Sequence, residues 1–373
     1  MFFILGISIS VFLVFLLLIK KDKSSADKIL LAWLVLLFAH QLINYLEDTG
    51  ELNTHPHFLG LDFPMPTLHS VLLYLYVIEI TGNKLKKKVY YFFHFIPAIS
   101  LILLAIPFYS LTGAEKIYVI ENKGIGYEWY VIYQNLVMFT SGLIYSGWSL
   151  YLIRKHQKNI QQKFSNIDKK ELQWLQYLAI GLGIVWPLVF FFDNTVIFSW
   201  VVVLVLFIGF FGINQLNIFQ TNANPQLDNK VVENSKTERN ENKTPTPSKR
   251  YAKSGLTEEM AERIYSTLNE LMAEEALFNK NDITLTELAK RLKIHPNHLS
   301  QVINEKEQKN FYNYINALRI NEFIRLASLP QSKQYTLLAL AYQCGFNSKS
   351  TFNKQFKEHT GKTPSEFLKS INS

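Results

Sequence analysis

Between Ser348 and Lys357 the chain places Lys349, Lys354 and Lys357 among serine, threonine, asparagine and glutamine, with no acid. A helix of that composition suits a polyanion, because each lysine can neutralise a phosphate. A second group of polar residues lies inside strongly apolar stretches: His40, Gln41 and Asn44, then His69, then Gln134 and Asn135, then Asp193 and Asn194. Such side chains are costly in a bilayer and mark ligand pathways or contacts between helices. His40, Asn44, His69 and Gln134 are therefore candidate ligand residues; interhelical hydrogen bonding is the alternative. Catalytic signatures are missing. The sequence has no Walker loop, no HExxH and no nucleophile elbow. A single cysteine, Cys344, excludes an internal disulfide and any multi-cysteine metal site. No catalytic residue, cofactor or metal is expected.

The elements that must carry these residues differ between the two halves. A spanning helix needs about 20 mostly apolar residues. Seven stretches qualify: about Phe2–Ile19, Ile29–Leu46, Met65–Gly82, Val89–Leu111, Trp129–Ile153, Leu175–Phe192 and Thr195–Leu216. The first lacks a basic leader and a small-residue cleavage site, so it reads as an uncleaved span. Charge fixes the orientation. Alternate loops hold Lys20, Lys21, Lys23 and Lys28; Lys84, Lys86, Lys87 and Lys88; and Arg154, Lys155, Lys158, Lys163, Lys169 and Lys170. The opposite side holds only Lys116 and Lys123, with Glu47, Asp48, Glu51 and Asp62. The N-terminus is thus expected outside, and everything after the seventh stretch in the cytoplasm. The expected location is the inner membrane, multi-pass. Glu79 and His94 fall near inner ends, where water explains them.

Thr221 to about Ser254 is polar and rich in Asn, Lys, Thr and Pro, and residues 217–254 read as a disordered cytoplasmic linker. About 34 such residues would reach roughly 30–35 Å. From Gly255 the pattern turns helical. Leu256, Met260, Ile264, Leu268 and Leu271 recur every three or four residues. Thr284 and Glu287 form a capping-box pattern before a short helix, and Pro296 opens the next after a tight turn. A long helix over about Phe311–Ser328 follows, with Phe311, Tyr314, Ile315, Leu318 and Phe323 as core and Pro330 limiting its end. The short-helix, turn, helix pattern then recurs. Leu337–Gln343 is closed by Gly345, Ser348 caps Lys349–His359, and Thr363-Pro364-Ser365-Glu366 opens a last helix to Ile371. Phe346, Phe352 and Phe356 read as core.

The stretch LLALAYQCGFNSKSTFNKQFKEHTGKTPSEF, Leu337 to Phe367, resembles the signature of the AraC/XylS family of transcription regulators. HLSQVINEKEQKNFYNYINALRI, His298 to Ile320, is similar to that family's first helix-turn-helix and connecting helix. Gly345-Phe346, Ser350, Phe352, Phe356-Lys357 and Gly361-x-Thr363-Pro364 stand in register. Leu368 departs from a usual arginine and Phe323 from a frequent alanine; both concern packing or a flanking contact. The resemblance covers residues 255–373, about a third of the chain. It implies two helix-turn-helix units bridged by the long helix, which at ~1.5 Å per residue approaches the ~34 Å between successive grooves. It also implies base-facing roles for Pro296, Asn297, Ser300 and Gln301, and for Lys349, Ser350, Asn353 and Lys354. Asn and Gln can pair with adenine, and Lys with guanine acceptors or phosphate.

The expected fold class is all-α: a seven-helix transmembrane bundle over 1–216, the linker 217–254, and a cytoplasmic seven-helix double helix-turn-helix domain over 255–373. The expected function is a membrane-anchored, sequence-specific transcription regulator and not an enzyme. Its partners would be double-stranded promoter DNA, the lipid bilayer, a small-molecule or membrane signal, and a second copy of the chain. Leu256–Leu271 is a candidate dimer surface, or else packs on its own domain. A receptor acting only through protein contacts is the alternative. Glu258-Glu259 and Arg263 match the EExxxR motif of CAAX-type membrane proteases, but outside any apolar stretch that match carries no chemistry.

Overall fold

The computed structural model describes residues 2–168, 170–189, 191–212 and 256–371. The expected linker, 217–254, lies outside them. The described residues are helical apart from turns and one isolated antiparallel bridge, Phe164 with Thr284. The chain divides into two compact units: Met1–Lys155 with Leu172–Ala223, and His156–Glu171 with Asn224–Ser373.

In the first unit, α1 (Phe2–Ile19) packs along α2 (Ser25–Asp48), which packs on α3 (Met65–Thr81). The turn before α2 is pinned by Ser24 and Asp27, which form a reciprocal capping box, while Lys20 pairs with the Asp27 carboxylate at 2.8 Å. α3 is the central element: Val71 and Leu73 through Ile78 are all buried, as an all-round apolar helix must be.

The fourth apolar stretch differs from expectation. It is broken into α4 (Val89–Phe93), α5 (Ile96–Leu104) and α6 (Ile106–Tyr109). Pro97 and Pro107 stand at the starts of the second and third pieces. Neither can donate a backbone hydrogen bond to the preceding turn, so the helix cannot continue through them. An amphipathic helix, α7 (Gly113–Glu121), follows with a Thr112–Glu115 capping box. Then come α8 (Glu128–Gln161), α9 (Gln173–Leu188) and α10 (Asn194–Phe207), the last running into a π-helical turn at Ile208–Gly212. α2 and α8 are long and apolar enough to cross a bilayer; Phe3–Ile19, Met65–Thr81 and Val196–Phe211 are shorter apolar helices.

The second unit contains α11 (Glu258–Glu275), α12 (Leu285–Arg291), α13 (Pro296–Glu307), α14 (Phe311–Ala327), α15 (Leu337–Gln343), α16 (Lys349–Thr360) and α17 (Pro364–Ile371). Each boundary has a local cause. Thr257, Thr284, Asn310, Thr336 and Ser348 each accept a backbone N–H as N-cap. Thr363 and Glu366 bond reciprocally ahead of α17. At Thr284 the expected reciprocal partner is engaged elsewhere: Glu287 takes Lys280 at 2.6 Å.

Two cores result. Leu268, Met272, Leu285, Leu288, Leu299 and Ile303 close on Phe311 and Ile315 from the start of α14. Leu340, Phe346, Phe352 and Phe356 close on Ile320 and Phe323 from its end. One helix therefore supplies a wall to both. Leu268 and Met272 of α11 belong to the first of these cores, and Ala261 is buried with Val302, so the apolar face of α11 packs on its own unit.

Candidate nucleic-acid interface

Each half of the second unit sets two short helices about a tight turn. In the first, α12 leads through Lys293, in the left-handed region at φ 56°, to α13. The His295 imidazole accepts from the Asn297 N–H and Pro296 stands at the first turn, so the entry to α13 is fixed from both sides. In the second, α15 leads through Gly345 at φ 89° to α16. A Cβ at Gly345 would lie 2.7 Å from the Asn279 carbonyl oxygen and 2.8 Å from that of Phe278. Only glycine permits both the dihedral and the approach.

The joint between the halves is Arg319, buried on α14. Its guanidinium donates to the carbonyls of Phe278 at 2.7 Å, Lys280 at 2.8 Å and Ser165 at 3.2 Å, and to the Asn316 amide oxygen at 3.1 Å. Burial lowers its pKa to about 10, so it stays a cation held by neutral acceptors. Arg319 falls on the Phe311, Ile315, Phe323 stripe, and a charge at that register was the signal that sequence reasoning passed over.

Among the residues with implied base-facing roles, Lys349, Ser350, Asn353 and Lys354 are exposed, as is Asn297. Pro296, Ser300 and Gln301 are half-buried. Gln301 donates to Glu305 at 3.3 Å. Ser300 donates to Gln162 at 3.3 Å, a partner that sequence spacing does not reveal. The cations also separate into two kinds. Lys280, Arg291, Lys306, Lys309 and Arg325 are each held by a carboxylate. No ion pair involves Lys349 or Lys354 among the described residues. Both line a surface cleft of about 530 Å³ with Asn353, Lys357 and Thr363. Ammonium groups that are unpaired and exposed are the ones a phosphate can recruit.

A family model described as a helix-turn-helix domain matches residues 288–370. Residues 288–370 thus carry a helix-turn-helix domain of the kind that binds DNA, similar to the AraC type. The match takes in most of α12 and everything through α17 but leaves out α11, which packs on that domain. A solved structure described as a protein of unknown function from Listeria innocua is 25% identical over 28% of this chain and 94% of its own, at a TM-score of 0.24. No curated protein matches the chain.

The candidate ligand residues fall in the first unit. His40 and His69 stack at 5.1 Å between ring centroids, with 2.9 Å between His40 Nδ1 and His69 Nε2. Trp33 Nε1 donates to His69 Nδ1 at 3.3 Å, so the His69 proton must sit on Nε2 and point at His40. Asn44 donates to the His40 carbonyl at 2.8 Å. These three line a cavity of about 280 Å³ with Gln41, Glu47, Asp62, Met138, Leu178 and Trp186 among its walls. The Gln41 amide is buried with neither its oxygen nor its nitrogen paired among the described residues. Gln134 is not among the lining residues; Met138, one turn further along α8, takes that place. Asp193 caps α10, accepting from the Val196 N–H at 3.1 Å.

Proposed function

We propose that this protein is a membrane-anchored, sequence-specific transcription regulator whose N-terminal unit spans the bilayer seven times and binds a small ligand, and whose C-terminal domain reads promoter DNA in the cytoplasm. The observation that carries the DNA-reading part is the pair of helix-turn-helix units joined by α14, with Lys349 and Lys354 exposed on α16 and in no ion pair among the described residues. Pro296, Asn297, Ser300 and Gln301 would enter one major groove, and Lys349, Ser350, Asn353 and Lys354 the next.

Membrane anchoring is supported by the 14 basic residues on one side of the apolar stretches against 2 on the other. The exposed apolar side chains of the N-terminal unit point the same way: Phe12, Phe15, Leu18 and Ile19 on α1, and Phe92, Phe93, Ile96 and Leu103 around α5. That much apolar surface in water would aggregate, whereas lipid covers it at no cost. The ligand fitting the cavity has an apolar body for Leu178, Leu182 and Val185, and a polar head for Gln41, His40 and Asn44. Glu47 and Asp62 at the same cavity favour a head bearing hydrogen-bond donors or positive charge.

A reporter fused after Ser373 tests the topology and should be active only in the cytoplasm; activity outside the cell would overturn the orientation. Selection of randomised duplexes by the full-length protein in lipid nanodiscs tests the reading of DNA and should enrich one bipartite sequence. Enrichment of none would end it.

A further inference from the structure

The segment His156–Glu171 comprises the end of α8 and the connection to α9, yet belongs to the same compact unit as the DNA-binding helices. Its attachment is extensive. The Ser165 N–H donates to the Ile283 carbonyl at 3.3 Å, and the Leu285 N–H to that of Lys163 at 2.9 Å. Ile160 and Ile167 are buried with Tyr312, and Phe164 packs against them. The Lys170 ammonium stands 3.5 Å from the centre of the Phe164 ring. Arg319, the joint of the domain, donates to both the carbonyl and the hydroxyl of Ser165. A passing loop would make few of these contacts.

From that seat the segment reaches both helices that would read DNA. Gln162 accepts from Ser300 at 3.3 Å and from Asn304 at 3.5 Å, one turn apart on α13. The Asp168 carboxylate accepts from the Ser348 hydroxyl at 2.9 Å and from the Thr351 hydroxyl. Ser348 is the N-cap of α16, where the helix dipole is positive and where an anion is best held. An acid there takes the place of a DNA phosphate, and an amide on the Ser300 stripe takes the place of a base edge.

We propose that His156–Glu171 is an autoinhibitory strap: seated, it occupies Ser300 and Asn304 on α13 and Ser348 and Thr351 at the start of α16, and DNA binds only when it leaves. The strap also offers a route for the signal, which rests on the ligand-sensing reading above. It continues directly into α8 and α9, and those helices supply Met138, Leu178, Leu182, Val185 and Trp186 to the cavity wall. A ligand that shifts α8 against α9 therefore moves the strap's two anchors. If the strap is seated in nine molecules of ten, apparent DNA affinity falls about tenfold, in proportion to the open fraction.

The experiment uses the full chain in nanodiscs and duplexes of roughly 40 base pairs, long enough for adjacent grooves, selected from a random pool. The Gln162→Ala, Asp168→Ala double variant should bind about tenfold more tightly than the wild type. Both substitutions lie away from the buried core, so folding should survive them. In a second arm, Asp168→Cys with Thr351→Cys should be joined by a short bifunctional thiol reagent, and saturating duplex should suppress the product. Equal affinity of wild type and double variant, or cross-linking indifferent to DNA, would overturn the strap while leaving DNA reading intact. Absence of binding by both proteins would overturn the two together.

Discussion

Arg319 donates a hydrogen bond to the Phe278 carbonyl, and the α-carbon of Gly345 packs so near the same oxygen that an added methyl would stand 2.8 Å away. The bridging helix and the second turn thus converge on one peptide group. Registry between the two helix-turn-helix units is set there.

Replacing Arg319 should be severe. Arg319→Leu takes the donor from the buried Ser165 carbonyl and from the part-buried Phe278 carbonyl, and each unpaired buried acceptor costs about 1–3 kcal/mol. A loss of about 3 kcal/mol or more is expected. Arg319→Lys should recover only part of it, because an ammonium cannot span acceptors that a planar fork reaches. Chemical denaturation of the purified protein, followed by loss of helical signal from the DNA-binding domain, checks both values.

Gly345→Ala should destabilise the second helix-turn-helix by about 2 kcal/mol. A side chain at φ 89° costs about 1–2 kcal/mol, and the methyl also meets two backbone oxygens that cannot step aside. Gly361→Ala, with φ 75° but nothing within 4 Å of the added methyl, should cost less. The difference between the two in one denaturation series isolates the steric part.

Lys349→Ala with Lys354→Ala should weaken binding to every duplex and flatten its salt dependence. Each lost phosphate contact removes about 0.9 from the slope of log affinity against log salt, so the pair should remove roughly 1.8. Lys306→Ala is the control. Lys306 is held by Glu258 and Glu262, which push its pKa upward, and its loss should leave the slope unchanged.

Cys344 should resist thiol reagents until the domain unfolds. It is buried in the core that also holds Phe346, and burial raises its pKa to about 12 from an ordinary 9.0. The unfolded thiol ionises first, so the folded state gains nothing below pH 9 and loses stability as pH climbs from about 9 towards 12. Maleimide labelling against denaturant at neutral pH, and unfolding midpoints across that alkaline window, give the two readouts.

The DNA-binding helices were legible in the sequence because local signals write them. The N-caps Thr284 and Ser348, Gly345 at its turn, and Pro296 and Pro364 at first helical positions all act within a few residues. The core stripe of α14 follows simple helical spacing, with Phe311, Tyr314, Ile315 and Phe323 buried as expected and Leu318 half-buried. The breaks within the fourth apolar stretch were missed because mean hydropathy does not count backbone donors, and Pro97 and Pro107 remove two. His40, Asn44 and His69 meet in one cavity and Gln134 misses it, since apolar context says that a polar residue matters without saying what it faces. The strap was illegible. Asp168 and Ser348 lie 180 residues apart, and no spacing rule joins them.

The most direct measurement is genome-wide mapping of the DNA bound in cells by the full-length protein, beside the Lys349→Ala, Lys354→Ala variant at equal abundance. Discrete promoter sites sharing a bipartite motif, lost in the variant, are the expected result. Uniform background for both proteins, or sites unchanged by the two substitutions, would contradict a regulator that reads DNA through α16.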